Sequence, residues 1–305
     1  MTENLQFKIG ETIKRNRLDK FLFEQITSVS KMYLRNLIER DECSVNGEIK
    51  PAGYHLLADD VVEIKVNSAV QTAMTPEALP LEIVFEDEEI IVVDKPAEML
   101  VHPTLGQKNG TLLNALSYYL NVENAAQNQL ANNSPKLKFI RPVLIHRLDR
   151  QTSGLMVIAK TARAARILSS HFQKKLVEKK YLTVVQGNVS EDSGTIDAPI
   201  GRFAEEKIWN VKADGKTAKT SFRVVQRFSG KTLLELEPIT GRTNQLRIHC
   251  AYFGHPIIGD VKYGGLEFSR LCLHAAKLNF YHPRENKRME FASEIPSQLQ
   301  SLLEK

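Results

Sequence analysis

The chain has 305 residues, of which 42% are hydrophobic and 25% are charged, and its formal net charge is +5. This composition is typical of a globular protein of about two domains, and it excludes a disordered or fibrous chain. No stretch approaches the roughly 18 consecutive apolar residues of a membrane span, and the polar N-terminus excludes a signal peptide. With only three scattered cysteines, the sequence predicts a cytoplasmic protein that has no disulfide framework and no membrane partner.

Positive charge is concentrated in one part of the chain. Between Lys136 and Lys180 there are twelve Lys and Arg residues but only two acidic ones, Asp149 and Glu178. The remaining residues are therefore net negative. Such clustering is typical of a protein that binds a polyanion. For the segment from Lys174 to Lys180, the alternative is a helix whose solvent-facing side happens to be basic.

Residues 12 to 70 predict a small α/β unit. The segment Arg17–Leu22 places apolar side chains on one face of a helix, and Ser30 is the predicted N-cap of a second helix. The segment Ser44–Glu48 predicts a strand that enters an Asn-Gly hairpin turn. Alternating apolar and charged residues in Val61–Val66 predict a closing strand.

These pieces, in this order, resemble the S4 RNA-binding domain. The matching segments are RLDKFL, SVSKMYLRNLIE and CSVNGEIKPAGYHLLADDVVEI. In that family, two helices present basic residues to structured RNA. The resemblance therefore implies RNA-binding residues on this unit: Lys14, Arg15, Arg17, Lys31 and Arg35. The alternative is a generic small domain whose helices carry surface charge.

A linker separates this unit from the rest of the chain. Residues 67 to 80 are polar, show no sustained period and contain Pro76 and Pro80. We therefore predict two domains, residues 1–75 and residues 76–305.

Beyond the linker, strands come in runs with few helices between them. The apolar run Ile90–Val93 predicts a strand buried on both faces, and Thr111–Leu120 predicts a helix before a surface loop over residues 121–135. Thr161 and Thr243 are the predicted N-caps of two further helices. More strands are expected at Leu182–Val185, Thr220–Arg227 and Thr232–Leu236. The pattern favours an α+β fold.

A dense polar turn at His146–Gly154 lies between two short apolar segments. It places one carboxylate, Asp149, between Arg147 and Arg150. Neighbouring positive charge favours the ionised carboxylate, which is then an acceptor or, with an electrophile held over it, a nucleophile. From this stretch alone, an ion-paired structural aspartate at a strand-to-strand turn is the favoured interpretation.

Three motifs carry a resemblance that reverses this interpretation. In chain order they are IIVVDKPAEMLVHP, HRLDRQTSGLMVIAK and TGRTNQLRIHCAYFGHPIIGDVKYGG. Together they resemble the catalytic core of RluA-type pseudouridine synthases, which commonly follows an S4 unit. The resemblance implies a domain with a mixed, largely antiparallel sheet. It also implies an isomerase, an intramolecular transferase, that converts uridine to pseudouridine in RNA without a cofactor.

The resemblance assigns roles to individual residues. Asp149 matches the nucleophilic aspartate, which attacks either the base or the sugar C1′ of the target uridine. Tyr181 matches the tyrosine that packs on the target base and helps remove a sugar proton, and Arg247 matches the basic residue that pairs with the aspartate. Arg147 matches the arginine that fills the space left by the flipped base. Further substrate-binding residues are expected in the same motifs: Arg150, Arg242 and Asn244.

Asn244 departs from the family pattern, which has His at this position. Asn keeps a hydrogen-bonding group but cannot titrate, so activity is expected to survive if the His serves structure or RNA binding. The histidines of the chain lack the compact spacing of zinc ligands, and we expect no metal site.

Two hypotheses remain for the function. The first is an RNA pseudouridine synthase that acts on large-subunit ribosomal RNA, because an S4 unit suits a sizeable structured substrate; transfer RNA is the alternative target. The second is a non-catalytic RNA-binding protein on the same scaffold. The presence of Asp149, Tyr181 and Arg247 together favours the enzyme. Nothing in the sequence demands more than a monomer.

Overall fold

The computed structural model describes residues 2–10, 16–26, 29, 31–67, 75–123, 140–206 and 208–304. The chain packs as two compact units, which are Met1–Pro80 with His102–Pro142 and Leu81–Val101 with Val143–Lys305. Among the described residues, no helix is long and apolar enough to cross a membrane. Several predicted features lie outside these residues, namely Lys14, Arg15, the N-cap Ser30 and the loop from residue 124 onward.

The first unit combines an antiparallel sheet with short helices. Its elements are β1 (Thr2–Lys8), α1 (Leu18–Gln25), α2 (Lys31–Glu39), β2 (Cys43–Val45), β3 (Glu48–Ile49), β4 (Val61–Asn67) and α3 (Leu112–Tyr118). In the described part of this unit, the strand order is β1-β4-β2-β3. Asn46 and Gly47 join β2 to β3 with left-handed backbone at both positions, which confirms the predicted hairpin.

The buried carboxylate of Asp19 links helices α1 and α2. Helix α1 packs its predicted apolar face into the core, and Asp19 on the same helix is only 1% exposed. Arg17 and Arg35 both donate hydrogen bonds to this carboxylate. Burial would raise the pKa of Asp19, but the bonds from Arg35 and Arg17 outweigh burial and lower it. Both guanidiniums therefore stabilise the fold, and only part of their hydrogen-bonding capacity is available to a partner.

Helix α3 differs from its prediction at the C-terminal end. Thr111 is its N-cap and accepts a hydrogen bond from the Asn114 N–H. The helical path then continues through a π-helical turn, Tyr119–Glu123. The side chain of Asn121 holds this turn by donating to the carbonyls of Ser117 and Ile140. The prediction that the loop starts at residue 121 is therefore wrong.

The second unit is built around one large sheet. Its strands are β5 (Glu82–Glu86), β6 (Ile90–Lys95), β7 (Val143–Leu144), β8 (Ser153–Ala159), β9 (Glu178–Gln186), β10 (Ser193–Asp197), β11 (Ile200–Phe203), β12 (Ile208–Val211), β13 (Lys219–Phe228), β14 (Lys231–Pro238), β15 (Leu273–Tyr281) and β16 (Arg288–Ala292). Its helices are α4 (Ala162–Gln173), α5 (Gln245–Tyr252) and α6 (Ser297–Leu303).

The sheet is mixed and largely antiparallel, which confirms the predicted α+β class. Among the described residues its main path is β10-β13-β14-β9-β15-β8-β6-β5, with β16 beside β15 and β7 beside β8. Of these pairs, only β15 and β8 run parallel. The apolar run in β6 is buried on both faces, as predicted, and every residue of β8 is buried. Strands β11 and β12 form a separate hairpin.

Two helices of this unit begin at different kinds of cap. Helix α4 begins as predicted, because the Thr161 side chain accepts a hydrogen bond from the Ala164 N–H. It ends at Gln173, and Leu176 beyond this end is 50% exposed. The predicted N-cap Thr243 of α5 is wrong. The cap is Asn244, whose backbone is left-handed (φ 54°) and whose side chain makes no capping bond.

Gly154 allows the parallel strands β8 and β15 to approach each other. It has φ +119°, and a Cβ atom at this position would lie 2.4 Å from the Ala275 carbonyl oxygen. Both the backbone conformation and the space therefore require glycine.

We expect Gly154→Ala to destabilise the fold by about 2 kcal/mol or more, because it adds backbone strain and a clash with backbone atoms. Thermal unfolding of the full chain measures this change. Gly241→Ala is the control, since a Cβ there meets nothing within 4 Å. Equal losses for the two variants would contradict the argument.

Candidate active site

The register of three neighbouring strands brings the sequence motifs together. Ala275 of β15 lies opposite Gly154 of β8 on one side and opposite Tyr181 of β9 on the other. The polar turn that contains Asp149 directly precedes β8; we call residues 147–152 the Asp149 loop. Tyr181 also lies opposite Leu236 of β14, the strand that leads into the Arg247 motif.

A cavity of about 610 Å³ opens where these segments meet. It is lined by the Asp149 loop, the end of α4, strand β9 and residues 237–247. Its charged lining residues are Arg147, Asp149, Lys175, Lys179, Glu237, Arg242 and Arg247. Cations therefore outnumber carboxylates in a space that is large enough for a nucleobase and its sugar.

The Asp149 carboxylate has no protein donor bonded to it within the described part of the chain, although its backbone carbonyl accepts from the Thr152 N–H. Burial raises the pKa of Asp149 above its ordinary value, and the nearby charges of Arg247 and Arg147 only partly oppose this effect. The positive charges that the sequence places near this carboxylate therefore lower its pKa as expected, but burial has the larger effect. Its oxygens lie at the cavity with uncommitted lone pairs.

Arg247 is paired with Asp260 and not, as predicted, with Asp149. Its Nε and Nη2 donate to both carboxylate oxygens of Asp260 at 2.7 and 2.6 Å, and both side chains are buried. The guanidinium carbon lies 5.1 Å from the centroid of the Tyr263 ring. Arg247 therefore acts on Asp149 through its charge alone.

Asn244 supports this arrangement through Tyr263. Its side-chain amide donates to the Tyr263 hydroxyl at 3.0 Å, and that hydroxyl donates to the Trp209 carbonyl at 3.1 Å. Asn244 thus holds the ring that packs on Arg247. A hydrogen-bond donor that tolerates left-handed backbone is sufficient for this contact, and a titratable group is not required.

Tyr181 lines the cavity from β9 and is 8% exposed. Burial, and then the charge of Asp149, raise the pKa of Tyr181. The side chain is therefore a neutral phenol at neutral pH. This state suits packing against a base better than proton removal as a phenolate.

The two arginines beside Asp149 point to different surroundings. Arg147 is exposed and lines the cavity, where its charge reaches Asp149. Arg150 instead donates to the Glu98 carbonyl and lies 3.4 Å from the Glu98 carboxylate. Arg242 is an exposed cavity residue whose Nε donates to the Thr217 carbonyl at 3.0 Å.

Lys95 holds the Asp149 loop by a hydrogen bond to its backbone. This lysine is fully buried, and its Nζ donates to the carbonyls of Pro96, Met99 and Arg150. Burial, together with the charge of Arg270, lowers the pKa of Lys95 to about 7. The three bonds join the segment after β6 to the Asp149 loop.

A chain of hydrogen bonds fixes the start of β8. Arg270 donates to the Ser153 hydroxyl, and Ser153 is bonded to His274 Nδ1 at 2.8 Å. His274 Nε2 is bonded to Ser293, which donates to Asp94. Burial lowers the pKa of His274 to about 4, so this imidazole is neutral at neutral pH. The neutral ring can accept from Ser153 and donate to Ser293. Every hydrogen bond in this series is then donated in the direction from Arg270 to Asp94.

Sequence reasoning missed several of these residues. Asp260 and Tyr263 stood in the third motif without an assigned role, and Lys95 stood at the end of an apolar strand. A charged residue within an apolar run is the pattern that could have drawn attention to Lys95 and Asp260. The pattern does not identify their partners, which are Arg247 of the same motif for Asp260 and, for Lys95, carbonyls that include that of Arg150.

No group of three or more His, Cys, Asp or Glu side chains in the described part of the chain could hold a metal ion. The three cysteines are buried as free thiols. Of the histidines near the cavity, His146 accepts from the Val157 N–H and is stacked on Phe172. His146 therefore serves packing and hydrogen bonding.

Residues 89–252 match the RNA pseudouridylate synthase family. This match covers the Asp149 loop, Tyr181 and Arg247. The chain belongs to this family, and it is therefore an isomerase. The match agrees with the catalytic core that the three sequence motifs predicted.

Two relatives align over nearly the whole chain. The "uncharacterized RNA pseudouridine synthase YlyB" of Bacillus subtilis is 36% identical over 97% of this chain and 95% of that protein. The "ribosomal large subunit pseudouridine synthase D" of Vibrio cholerae is 34% identical over 96% of this chain and 93% of that protein.

Solved structures are similar as well. Human RNA pseudouridylate synthase domain containing 1 has a TM-score of 0.53 at 25% identity, with 72% of this chain and 84% of that chain covered. Human RNA pseudouridylate synthase domain containing 4 has a TM-score of 0.57 at 23% identity, with 73% of this chain and 92% of that chain covered, and supports the fold alone.

We expect Asp260→Asn to destabilise the fold by about 3–5 kcal/mol, because it leaves the buried Arg247 charge without its counter-ion. Urea or thermal unfolding measures the loss. Asp197→Asn is the matched control, since Asp197 forms an exposed ion pair with Lys219 at 2.7 Å. Such pairs contribute less than about 1 kcal/mol. If both variants lose the same stability, the Asp260 pair is not a structural support of Arg247.

Proposed function

We propose that this enzyme isomerises specific uridines of large-subunit ribosomal RNA, with Asp149 as the nucleophile. The observation that carries the proposal is the uncommitted Asp149 carboxylate in a cationic cavity, beside Tyr181 and within the electrostatic reach of Arg247. The name of the Vibrio cholerae relative favours the ribosomal target, and transfer RNA is the alternative. A ribosomal substrate would place the enzyme in the cytoplasm.

The proposed reaction rearranges one glycosidic bond. Asp149 attacks the target uridine at the base or at C1′, and the C1′–N1 bond breaks. The uracil then rotates and rejoins through C5, so that a C1′–C5 bond forms. The bond between Asp149 and the substrate breaks, which restores the free carboxylate. The C5 proton leaves to solvent and N1 gains a proton, so the overall step is redox-neutral. Neither a metal ion nor an external electron carrier is needed for this balance.

The target base must leave its stack before Asp149 can reach it. Flipping a base costs a few kcal/mol, which phosphate contacts and stacking can offset. In this proposal Tyr181 packs on the flipped base, and Arg147 occupies the space that the base leaves. Arg242 and Asn244 lie on the same cavity lining and are proposed to bind the substrate strand. Arg150 is proposed to bind RNA beside its Glu98 contact.

The first unit is proposed to anchor the RNA as an S4 domain. Support comes from the order of its motifs and from basic side chains on α1 and α2. Lys31 is exposed on α2, while Arg17 and Arg35 remain about two-fifths exposed beside Asp19. Lys14 and Arg15 remain part of the proposed anchor. Partial exposure leaves each guanidinium room for a phosphate contact in addition to its bond with Asp19.

Tritium release from RNA labelled at uridine C5 tests the proposed nucleophile. We expect Asp149→Asn to lower release by more than about a thousandfold, because a neutral amide is a much weaker nucleophile than a carboxylate. RNA affinity is expected to stay near that of the wild type. If affinity collapses together with turnover, Asp149 is a structural residue and the proposal is wrong.

The same variant is expected to raise the melting temperature at neutral pH. The pKa of Asp149 is raised by burial, so the folded state disfavours its charged form, and the resulting loss of stability is present above the folded pKa. Asparagine removes the charge and therefore the penalty. A lower melting temperature for Asp149→Asn, measured against Asp197→Asn, would contradict this assignment.

The pH dependence has a defined sign. Attack requires the carboxylate, so kcat/KM falls as the pH drops below the pKa of Asp149 in the free enzyme. Because burial raises this pKa, the midpoint of the acid limb is expected above pH 3.8. Steady-state tritium release across the pH range, with RNA binding measured in parallel, checks the midpoint. A midpoint below 3.8 would show that the arginine charges prevail over burial.

The target is tested by mapping pseudouridines in total RNA after deletion of the gene. Loss of a site in large-subunit ribosomal RNA is the expected result. Loss of a transfer RNA site alone would reject the ribosomal target while leaving Asp149 as the nucleophile. No lost site in any RNA would support a non-catalytic protein.

A further inference from the structure

Two lysines of the cavity lining have no role in the chemistry described above. Lys175 follows the end of α4, Lys179 lies on β9, and both line the cavity. In the described ranges of the chain, no carboxylate lies within the 4.0 Å of an ion pair from either ammonium. Two other cations of the lining are already bonded, Arg247 to Asp260 and Arg242 to a backbone carbonyl.

Lys179 projects from the same face of β9 as Tyr181. Residues two apart on a strand point to one side and lie about 7 Å apart. The Lys179 ammonium is 5.7 Å from the centroid of the Phe172 ring and is partly buried, and burial lowers the pKa of this lysine. A desolvated ammonium without a counter-ion is stabilised when an anion binds.

The adjacent histidine does not compete for that anion. His146 is stacked on Phe172, with the ring centroids 4.7 Å apart, and its Nε2 accepts from the Val157 N–H. Burial and the charge of Lys179 lower the pKa of His146 to about 3. The imidazole is thus neutral at neutral pH, and the lysine supplies the positive charge.

Lys175 has an unusual backbone. The N–H of Lys175 donates to the Phe172 carbonyl and the N–H of Leu176 to the His171 carbonyl, which forms a Schellman motif at the end of α4. Lys175 occupies the left-handed position of this motif with φ 58°, where glycine is usual. The chain therefore places a cation at the cavity in a conformation that is strained for lysine and favours glycine.

We propose that Lys175 and Lys179 form a phosphate-binding rim, which holds a backbone phosphate of the RNA strand next to the target uridine. Lysine binds phosphate as a point charge and tolerates varied geometry. A uridine in the cavity is covalently joined to its flanking phosphates, so at least one of them lies close to the lining. The proposal rests on the family's RNA substrate and not on the choice of ribosomal RNA.

The experiment uses the full-length protein and an oligouridylate nonamer, which requires no knowledge of the natural target. We expect Lys175→Gly and Lys179→Met each to weaken binding about tenfold. The plot of log K against log salt concentration should also become less steep, by about 0.7 in the magnitude of its slope for each lost phosphate contact. Lys175→Gly should keep or raise the melting temperature, because glycine suits the left-handed backbone.

Two control variants remove the same charge without touching the cavity. Lys174 caps α4 and does not line the cavity, and Lys180 projects from the other face of β9, where it is 3.2 Å from Glu235. Lys174→Met and Lys180→Met are expected to change binding by less than about twofold. If the four variants lose affinity equally, the lysines supply only general positive charge and the proposal is overturned.

Replacing single phosphates of the oligonucleotide by neutral methylphosphonate linkages identifies the phosphate that the two lysines bind. Nonamers that carry one methylphosphonate at successive positions should show one sensitive linkage with the wild type, and a smaller loss at that linkage with Lys179→Met. Identical linkage profiles for the wild type and the variant would overturn the proposal. Tritium release from ribosomal RNA tests the target separately, so the two can fail independently.

Discussion

The close parallel contact between β8 and β15 is the constraint on which the site depends. Gly154 permits it, and Ala275 then lies opposite both Gly154 and Tyr181. Since the Asp149 loop leads directly into β8, backbone pairing sets its position relative to the tyrosine. A shift by one residue would move Gly154 away from Ala275 and bring a side chain into this close contact, so the pairing of β8 with β15 is restricted to one register.

Two buried polar groups restrain the loop at separate points. Lys95 bonds the Arg150 carbonyl, and the chain from Arg270 to Asp94 holds Ser153 at the start of β8. A satisfied polar network in a region of low dielectric is rigid, because breaking one bond leaves an unpaired buried group. The loop can therefore keep a carboxylate at the cavity without hydrogen bonds of its own.

Local patterns predicted the elements whose sequence signal is contained in a few consecutive residues. The apolar run of β6, the Thr161 cap of α4 and the Asn46-Gly47 hairpin all formed as expected. Thr243 failed as a cap because Asn244 takes the left-handed conformation, an outcome that depends on its tertiary contact with Tyr263. The resemblance supplied the cavity residues, but it could not supply their partners.

The electrostatics of Asp149 illustrate why those partners matter. Sequence spacing suggested full positive charges on both sides of the carboxylate, yet Arg150 is turned to Glu98. Arg247 is neutralised at short range by Asp260, whose own charge raises the pKa of Asp149. The attraction is thereby reduced, and burial prevails. The carboxylate is half-buried and accepts no hydrogen bond from the residues that the structure describes, so its lone pairs need not be released from other bonds before it attacks an electron-poor carbon.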